Sequence, residues 1–314
     1  MAGISQIMNK WMLPIAMATG AAVYLVLHFV PGLEEDGYLS VARKVQPSLV
    51  GLMLFLQLNV VAPTDLRFHR WHWTLLGVQT ILLVVIVLSC THMAPGPWRL
   101  LLECAMLCLI CPTACAAGVI TAKIGGSLPG VLTYTVLSDA LSCVLIPLMI
   151  PVVHPVEGYS FFFLFWRIVK KVFAILVLPC ALAWGIRYLL PGVQRFLARF
   201  AGWAFYVWGC CLVLAISLAT AALLDSGIGV AVALGIAAVS LGCCLFQFAL
   251  GRRAAARYGR VESLTAGQAL GQKNNGFIIW LGYNYMTPVT SVAGGLYAIW
   301  QNLVNSWELS QRER

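Results

Sequence analysis

Long apolar runs separated by short polar segments dominate the chain. Ten of these runs are long enough to predict membrane-crossing α-helices, since a spanning helix needs about 20 mostly apolar residues. They cover residues 12–31, 46–62, 72–91, 99–121, 130–153, 162–190, 201–223, 227–250, 262–282 and 287–307. In a chain of 314 residues, ten spans and their connections leave no room for a soluble domain. The pattern therefore predicts an all-α polytopic membrane protein with ten transmembrane helices.

Composition supports this class and excludes others. The chain is 61% hydrophobic and only 10% charged, and its mean hydropathy is +0.88. A net charge of +9 would suggest nucleic-acid binding in a soluble protein, but these basic residues lie between apolar runs, where they set topology. With the N-terminus inside, 13 of the 20 Lys and Arg residues fall on the cytoplasmic side and 6 on the other. We therefore expect a multi-pass inner (plasma) membrane protein with both termini in the cytoplasm.

Two ionisable residues lie within apolar runs that are otherwise almost free of charge. Lys273 is in the ninth run and Asp139 is in the fifth. A charge at the centre of a bilayer costs at least about 2.5 to 3.5 kcal/mol, so such residues usually serve a function. One hypothesis is a buried pair that replaces a bound cation, either as a titrating proton-coupling pair or as a permanent strut. The alternative is that Asp139 caps a local kink and Lys273 snorkels to an interface.

Two of the predicted helices contain breaks. In the fourth, Pro112 and Gly118 bound a run of small residues that can unwind. In the ninth, Gly271 and Gly276 bracket four polar side chains. Non-helical backbone at membrane depth is tolerated only where it is enclosed by protein or lines a cavity. We therefore expect a binding site where the broken fourth and ninth helices cross.

The two halves of the chain contain similar short sequence segments. Leu13–Ala16 in the first helix resembles Leu178–Ala181 in the sixth, and a Pro-Gly pair follows each of them. Such punctuation is also common at ordinary helix ends, so chance similarity remains an alternative. A repeat of five helices must cross the membrane in the opposite sense, because five is odd. We predict two inverted repeats, residues 1–160 with helices one to five and residues 161–314 with helices six to ten.

Polar side chains cluster around the ninth-helix break. In many membrane bundles such groups only bond neighbouring helices, for about 0.6 kcal/mol each. Beside a buried lysine, contact with a substrate or an ion is the favoured interpretation, and the fourth-helix threonines can serve the same cavity. The candidate substrate contacts are Asn274, Asn275, Thr113, Thr290 and Gln301, and the candidate ion-coupling residues include Gln272 and Thr121.

Cysteines also share a helical stripe in the fourth run, namely Cys104, Cys108, Cys111 and Cys115. One straight helix cannot wrap four thiolates tetrahedrally around an ion, so we predict no metal site there.

Several segments together resemble the bile acid:sodium symporter family. The resemblance lies in Gly271–Gly276, Pro288 and Ala298–Leu303 in the last two helices, with Pro112-Thr113 in the fourth and Pro47–Leu58 in the second. Gln79 matches a glutamine of that family's third helix. The resemblance implies crossed helices four and nine within a core of helices 3–5 and 8–10. It also implies a panel of helices 1, 2, 6 and 7, and uptake of a bile acid-like anion or small carboxylate with two sodium ions.

The chain departs from that family at its sodium ligands. The family's serine and asparagine in the fourth helix correspond to Ala117 and Gly118, and its ninth-helix glutamate and glutamine to Ala269 and Lys273. Asp139 corresponds to a sodium-binding threonine. Sodium favours oxygen ligands, so we expect degenerate sodium sites whose place is taken by Lys273 and Asp139. The expected cofactor set is therefore empty, with sodium in doubt and proton coupling open.

Two function classes other than transport are alternatives, namely an enzyme and a receptor or structural membrane protein. An enzyme would need acid, base or metal groups at one depth, and besides Asp139 the apolar runs offer only Glu103. A receptor or structural membrane protein would not need paired helix breaks. We therefore expect a non-enzymatic transporter whose partners are a small organic anion and the lipid bilayer, with no nucleic acid and no obligate protein partner indicated.

Overall fold

The computed structural model describes residues 2–114, 116–225 and 227–312, and this part of the chain is helical. It contains thirteen α-helices joined by short loops and 3₁₀ turns. The helices are α1 Ala2–Phe29, α2 Glu35–Leu58, α3 Arg70–His92, α4 Pro97–Ile110, α5 Ala117–Ile124, α6 Leu128–Val153, α7 Phe161–Leu189, α8 Pro191–Ala198, α9 Ala204–Asp225, α10 Val230–Ala255, α11 Arg260–Gly271, α12 Asn275–Tyr285 and α13 Ser291–Arg312. The prediction of an all-α fold is confirmed.

Each predicted apolar run coincides with one helix or with a pair of consecutive helices. Among the residues that the structure describes, five helical segments meet both the length and the hydropathy needed to cross a bilayer, namely Glu35–Leu58, Arg70–His92, Leu128–Val153, Ala201–Asp225 and Val230–Tyr258. The second helix begins at Glu35 rather than at residue 46. Its first turns carry charged side chains that an apolar window excludes but that a helix end in a polar environment accommodates.

One group of four helices consists of α1, α2, α7 and α9. Helix α9 packs along α1 and α2, and α2 packs along α7. At one end of the group, the Tyr24 hydroxyl lies 2.6 Å from a Glu35 oxygen and 3.0 Å from an Asp225 oxygen, which ties α1, α2 and α9 together. Deeper in the group, the Ser217 hydroxyl donates to the Gly20 carbonyl at 2.7 Å.

The remaining long helices form a second group around α10. Helix α10 packs against α4, α11 and α13, while α3 packs against α4 and α6, and α12 against α13. The two groups meet where α7 lies along α6 and where α9 lies along α12 and α13. The largest cluster of buried apolar side chains spans this boundary and includes Val50, Ile110, Ile146, Leu176 and Phe277.

The fourth and ninth predicted helices are each interrupted. The first interruption separates α4 from α5 after Ile110, and the second separates α11 from α12 after Gly271. Gly118 corrects the predicted limit of the first break, because it lies inside α5. A Cβ atom there would lie 3.1 Å from Leu128 Cδ1, so Gly118 serves close packing against α6. Gly276 likewise lies within α12, where a Cβ atom would lie 2.9 Å from the Cys211 sulfur.

Candidate functional site

The two interrupted helices cross and pair through their backbones. Thr113 and Lys273 form an antiparallel bridge. The Ala114 amide donates to the Gln272 carbonyl, and the Asn274 amide donates to the Pro112 carbonyl, both at 3.0 Å. These bonds satisfy backbone groups that the breaks release, which is what buried non-helical backbone requires. The crossing is thus a short two-stranded contact held within a helical protein.

The C-terminal end of α4 points into this crossing and is fully capped. The last four carbonyls of a helix have no partner inside the helix, and here each receives a donor. The Cys111 amide donates to the Leu107 carbonyl, and Gln247 Nε2 donates to the Cys108 carbonyl at 3.2 Å. The Leu109 carbonyl accepts from both Gln79 Nε2 and Lys273 Nζ. The Ser142 hydroxyl donates to the Ile110 carbonyl at 2.9 Å. Side chains from α3, α6, α10 and the second break therefore converge on one helix end.

Lys273 supplies the positive charge at that helix end. Its side chain is 1% exposed, and Nζ lies 3.4 Å from the Leu109 carbonyl oxygen. Among the described residues, no carboxylate lies within ion-pair distance of Nζ. A helix C-terminus carries a partial negative charge and attracts cations. The ammonium group therefore occupies a position suited to a bound cation.

Asp139 does not pair with Lys273, which corrects the pair hypothesis. The face of α6 that meets the crossing carries Ser138 and Ser142, whose hydroxyls bond Thr113 and the Ile110 carbonyl. Asp139 is buried one position after Ser138 and three before Ser142, and it forms no ion pair with Lys273 in the part of the chain that the structure describes. One of its carboxylate oxygens has no hydrogen-bond partner among the described residues.

The C-terminal end of α11 is capped differently. The Thr113 hydroxyl donates to the Ala269 carbonyl, and the Tyr297 hydroxyl donates to the Gly271 carbonyl, both at 2.7 Å. These donors are neutral, whereas the equivalent end of α4 receives the Lys273 ammonium. The crossing therefore has one charged and one uncharged helix end.

The N-terminal end of α12 offers unused polar atoms. Asn274 caps this helix, because its side-chain oxygen accepts from the Phe277 amide at 3.2 Å. The Asn274 side-chain nitrogen and the Asn275 side-chain oxygen are buried and have no partner in the described structure. Unpaired buried polar atoms are costly, so these two atoms are good candidates for contact with a ligand.

The other sequence-predicted residues divide between the crossing and distant positions. Gln301 accepts a bond from the Lys273 amide at 2.9 Å, and Gln272 bonds Gln268 in the same neighbourhood. Thr290 bonds the Thr287 carbonyl in a 3₁₀ turn after α12, and Thr121 lies beside Gly126 in the turn after α5. These two threonines lie outside the crossing contacts.

Sequence reasoning missed three residues that hold the crossing together: Ser138, Gln247 and Tyr297. Gln247 also donates to the Tyr297 hydroxyl at 3.0 Å. Gln247 could have been found, because a glutamine inside the apolar run that forms α10 indicates a buried hydrogen bond. The hydroxyl groups of serine and tyrosine are too common in membrane helices to give one.

A cavity of about 950 Å³ lies between α2, α7 and α12. Four basic side chains line it, two from α2 and two from α7. They are Arg43, Lys44, Arg167 and Lys171. The remaining wall is largely apolar and includes Trp280, which belongs to α12 beyond the crossing. The cavity therefore lies between the two helix groups and joins a positive region to an apolar one.

Metal-ligand geometry occurs elsewhere. Three of the predicted stripe cysteines, Cys104, Cys108 and Cys111, are buried free thiols, and Cys115 lies outside the described residues. Within the described part of the chain, one group of three potential ligands has its atoms within 4.8 Å of one another. It consists of His28, Glu35 and Asp225, which join α1, α2 and α9 rather than the crossing.

Comparison with known proteins identifies the family. The model of the Sodium Bile acid symporter family matches residues 46–226, which is more than half of the chain and includes α4, α5 and α6. The second break with Lys273 lies beyond the matched residues. A search of curated proteins found no match. The predicted resemblance is confirmed: the chain belongs to the Sodium Bile acid symporter family, whose members are integral membrane transporters.

Proposed function

We propose that this protein is a secondary active transporter of organic anions that works by alternating access without bound sodium. In this proposal the Lys273 ammonium takes the place of a coupling cation at the helix crossing. The observation that carries the proposal is the position of Nζ, 3.4 Å from the Leu109 carbonyl at the C-terminal end of α4.

The side chains around the crossing support the absence of sodium. Ala117, Gly118 and Ala269 are buried and carry no side-chain oxygen. The Ala269 carbonyl, which could serve as a ligand, already accepts the Thr113 hydroxyl. A sodium ion would therefore find no side-chain oxygen ligand at these three positions and would also meet the repulsion of a buried ammonium.

The proposed architecture is ten membrane spans in two inverted repeats. In support, the order of helices is the same in both halves: α1 to α6, with a break between α4 and α5, and α7 to α13, with a break between α11 and α12 and the short α8 as an addition. The break residues Thr113 and Lys273 pair with each other, as expected of equivalent positions next to a pseudo-two-fold axis. We assign α1, α2, α7 and α9 to a panel and the other long helices to a core that moves against it.

The proposed substrate is an organic anion with an apolar body, such as a bile acid or a carboxylate. The four basic side chains of the cavity supply positive potential, and Trp280 and the α2 and α7 side chains supply apolar surface. The cavity lies between panel and core, where alternating access would open it to either side. The charge bias of the loops supports a plasma-membrane orientation with cytoplasmic termini.

Uptake into proteoliposomes tests this function. Radiolabelled cholate, a set of small carboxylates and an alkyl phosphate are offered in sodium chloride and in choline chloride of the same concentration. We expect uptake of at least one anion above that of empty liposomes, at equal rates in the two salts. Uptake that requires sodium would contradict the role of Lys273, and a failure to move any anion would contradict the substrate class.

A further inference from the structure

The basic side chains of the cavity are concentrated at one end of it. Arg43 and Lys44 lie near the start of α2, and Arg167 and Lys171 lie near the start of α7. Residues of α7 line the cavity from Arg167 to Ile186, about 28 Å along the helix axis. Beyond the basic end the wall includes Leu52, Leu178 and Leu182. The cavity is therefore charged at one end and apolar along the rest of its length.

These cations are not compensated by the protein. No acidic residue is among the described residues that line the cavity, and none of the four cations takes part in an ion pair there. Arg43 is held by the Tyr283 ring, 4.7 Å from its guanidinium carbon, and its Nε is buried without a hydrogen-bond partner. Arg167 and Lys171 stand four residues apart on one helix face, where like charges repel.

The proposed topology makes this concentration more unusual. Basic residues are normally depleted from the non-cytoplasmic side of a membrane protein. Of the six assigned to that side, these four line one cavity, and Arg99 is paired with Glu103 at 3.0 Å. A ligand that carries more than one negative charge would offset the repulsion among the four cations, whereas one carboxylate would neutralise a single cation.

We propose that the cavity recognises amphiphiles whose head group is a doubly charged phosphate monoester. Three terminal oxygens and a charge near −2 allow such a group to be contacted from α2 and α7 together. Each arginine can approach it with two parallel N–H donors, and each lysine adds a compact charge. A single apolar chain lies along the leucine-lined part of the cavity. This inference rests on the proposed anion transport and narrows its substrate class.

Two alkyl probes with the same chain and head groups of similar shape provide the test. Octyl phosphate carries about two charges at pH 8, because the second pKa of such esters is about 6, whereas octyl sulfate carries one. Binding to protein in phosphatidylcholine nanodiscs is measured by calorimetry, with empty nanodiscs as the blank. We expect octyl phosphate to bind at least about tenfold more tightly, the effect of about one additional charge-assisted hydrogen bond.

The chain provides a matched control for the basic end. Lys171→Gln should lower octyl phosphate affinity by about tenfold and octyl sulfate affinity by less. Lys170→Gln removes the same charge from the neighbouring position, which does not line this cavity, and should change either affinity by less than about twofold. Both positions are exposed, so folding should be unaffected, and melting curves verify this.

Equal affinities for the two probes, equal effects of the two lysine variants, or no saturable binding of either probe would each overturn the inference. Sodium-dependent uptake would contradict the proposed function but leave the preference for octyl phosphate intact, so the two failures are distinguishable. Nanodiscs that contain phosphatidic acid identify the natural source of the head group. If phosphatidic acid weakens octyl phosphate binding, the natural ligand is a membrane lipid. If it has no effect, the natural ligand is an amphiphile that enters from solution.

Discussion

Two substitutions in the ninth predicted helix should create a sodium response that we expect to be absent from the wild-type protein. In the family pattern, a glutamate precedes glutamine-asparagine by four residues, and this chain has Ala269, Lys273 and Asn274 at those places. The double variant Ala269→Glu/Lys273→Gln removes the buried ammonium and supplies a carboxylate. We expect sodium to stabilise this variant and to leave the wild-type protein unchanged.

The structure sets the size of the effect. With Nζ at 3.4 Å from the Leu109 oxygen, its attraction to the partial charge of the α4 C-terminus is about 2 kcal/mol at an effective dielectric constant of about 20. A sodium ion at the same distance from the ammonium would be repelled by about 5 kcal/mol. That repulsion lowers sodium affinity by more than about a thousandfold, so wild-type protein should not bind the ion.

Thermal melting of purified protein provides the assay. The wild type, the two single variants and the double variant are compared in sodium chloride and choline chloride at equal concentration. At a sodium concentration about tenfold above the dissociation constant, binding stabilises the folded state by about 1.4 kcal/mol, which raises the melting temperature by about 2 °C. The Lys273→Gln variant alone should respond less, because it lacks the carboxylate.

A second double variant separates the effect of charge from that of packing. Ala269→Gln/Lys273→Gln has nearly the same volume as the double variant but no carboxylate, so it should remain insensitive to sodium. Stabilisation of wild-type protein by sodium would refute the electrostatic reasoning. A folded Ala269→Glu/Lys273→Gln protein whose melting temperature is the same in both salts would refute it as well.

Further substitutions test packing and coupling. Lys273→Arg should lower both uptake and melting temperature, because the guanidinium fork is larger than the enclosed ammonium and overpacking costs about 1 to 3 kcal/mol. Gly271→Ala should destabilise the protein in melting assays, since its Cβ would lie 2.4 Å from the Phe248 ring, whereas Gly77→Ala meets no atom within 4 Å and should be neutral or stabilising. If a proton gradient drives uptake through Asp139, Asp139→Asn should abolish pH-driven accumulation in proteoliposomes, and unchanged accumulation would exclude this carboxylate as the coupling group.

The all-helical class followed from the sequence because membrane helices carry a strong apolar signal. The breaks were also visible, since Pro112 and the glycines around Lys273 interrupt that signal. Helix ends were harder to predict. Helix α2 begins at Glu35, where charged residues lie outside any apolar window. Gly118 shows a second limit of sequence-based prediction. The sequence alone does not distinguish a glycine required for close helix packing from a glycine that ends a helix.

The candidate site was predictable only in part. The high cost of a buried charge singled out Lys273, and the structure places it at the crossing. The partner predicted for Lys273 was Asp139. Whether its carboxylate reaches the lysine depends on how α6 is rotated against the crossing, and here the neighbouring Ser138 contacts the crossing while Asp139 forms no ion pair in the described structure. Donors such as Gln247 reach α4 from another helix, a contact that no local pattern in the sequence encodes.

Direct measurement of ²²Na⁺ binding to the purified wild-type protein tests the central claim, that the Lys273 ammonium occupies the cation position at the crossing. Scintillation proximity counting reports bound ion without any need to know the substrate, and Ala269→Glu/Lys273→Gln provides the positive control. We expect no saturable, choline-insensitive ²²Na⁺ binding to wild-type protein and saturable binding to the variant. Saturable binding of ²²Na⁺ to the wild type would contradict it.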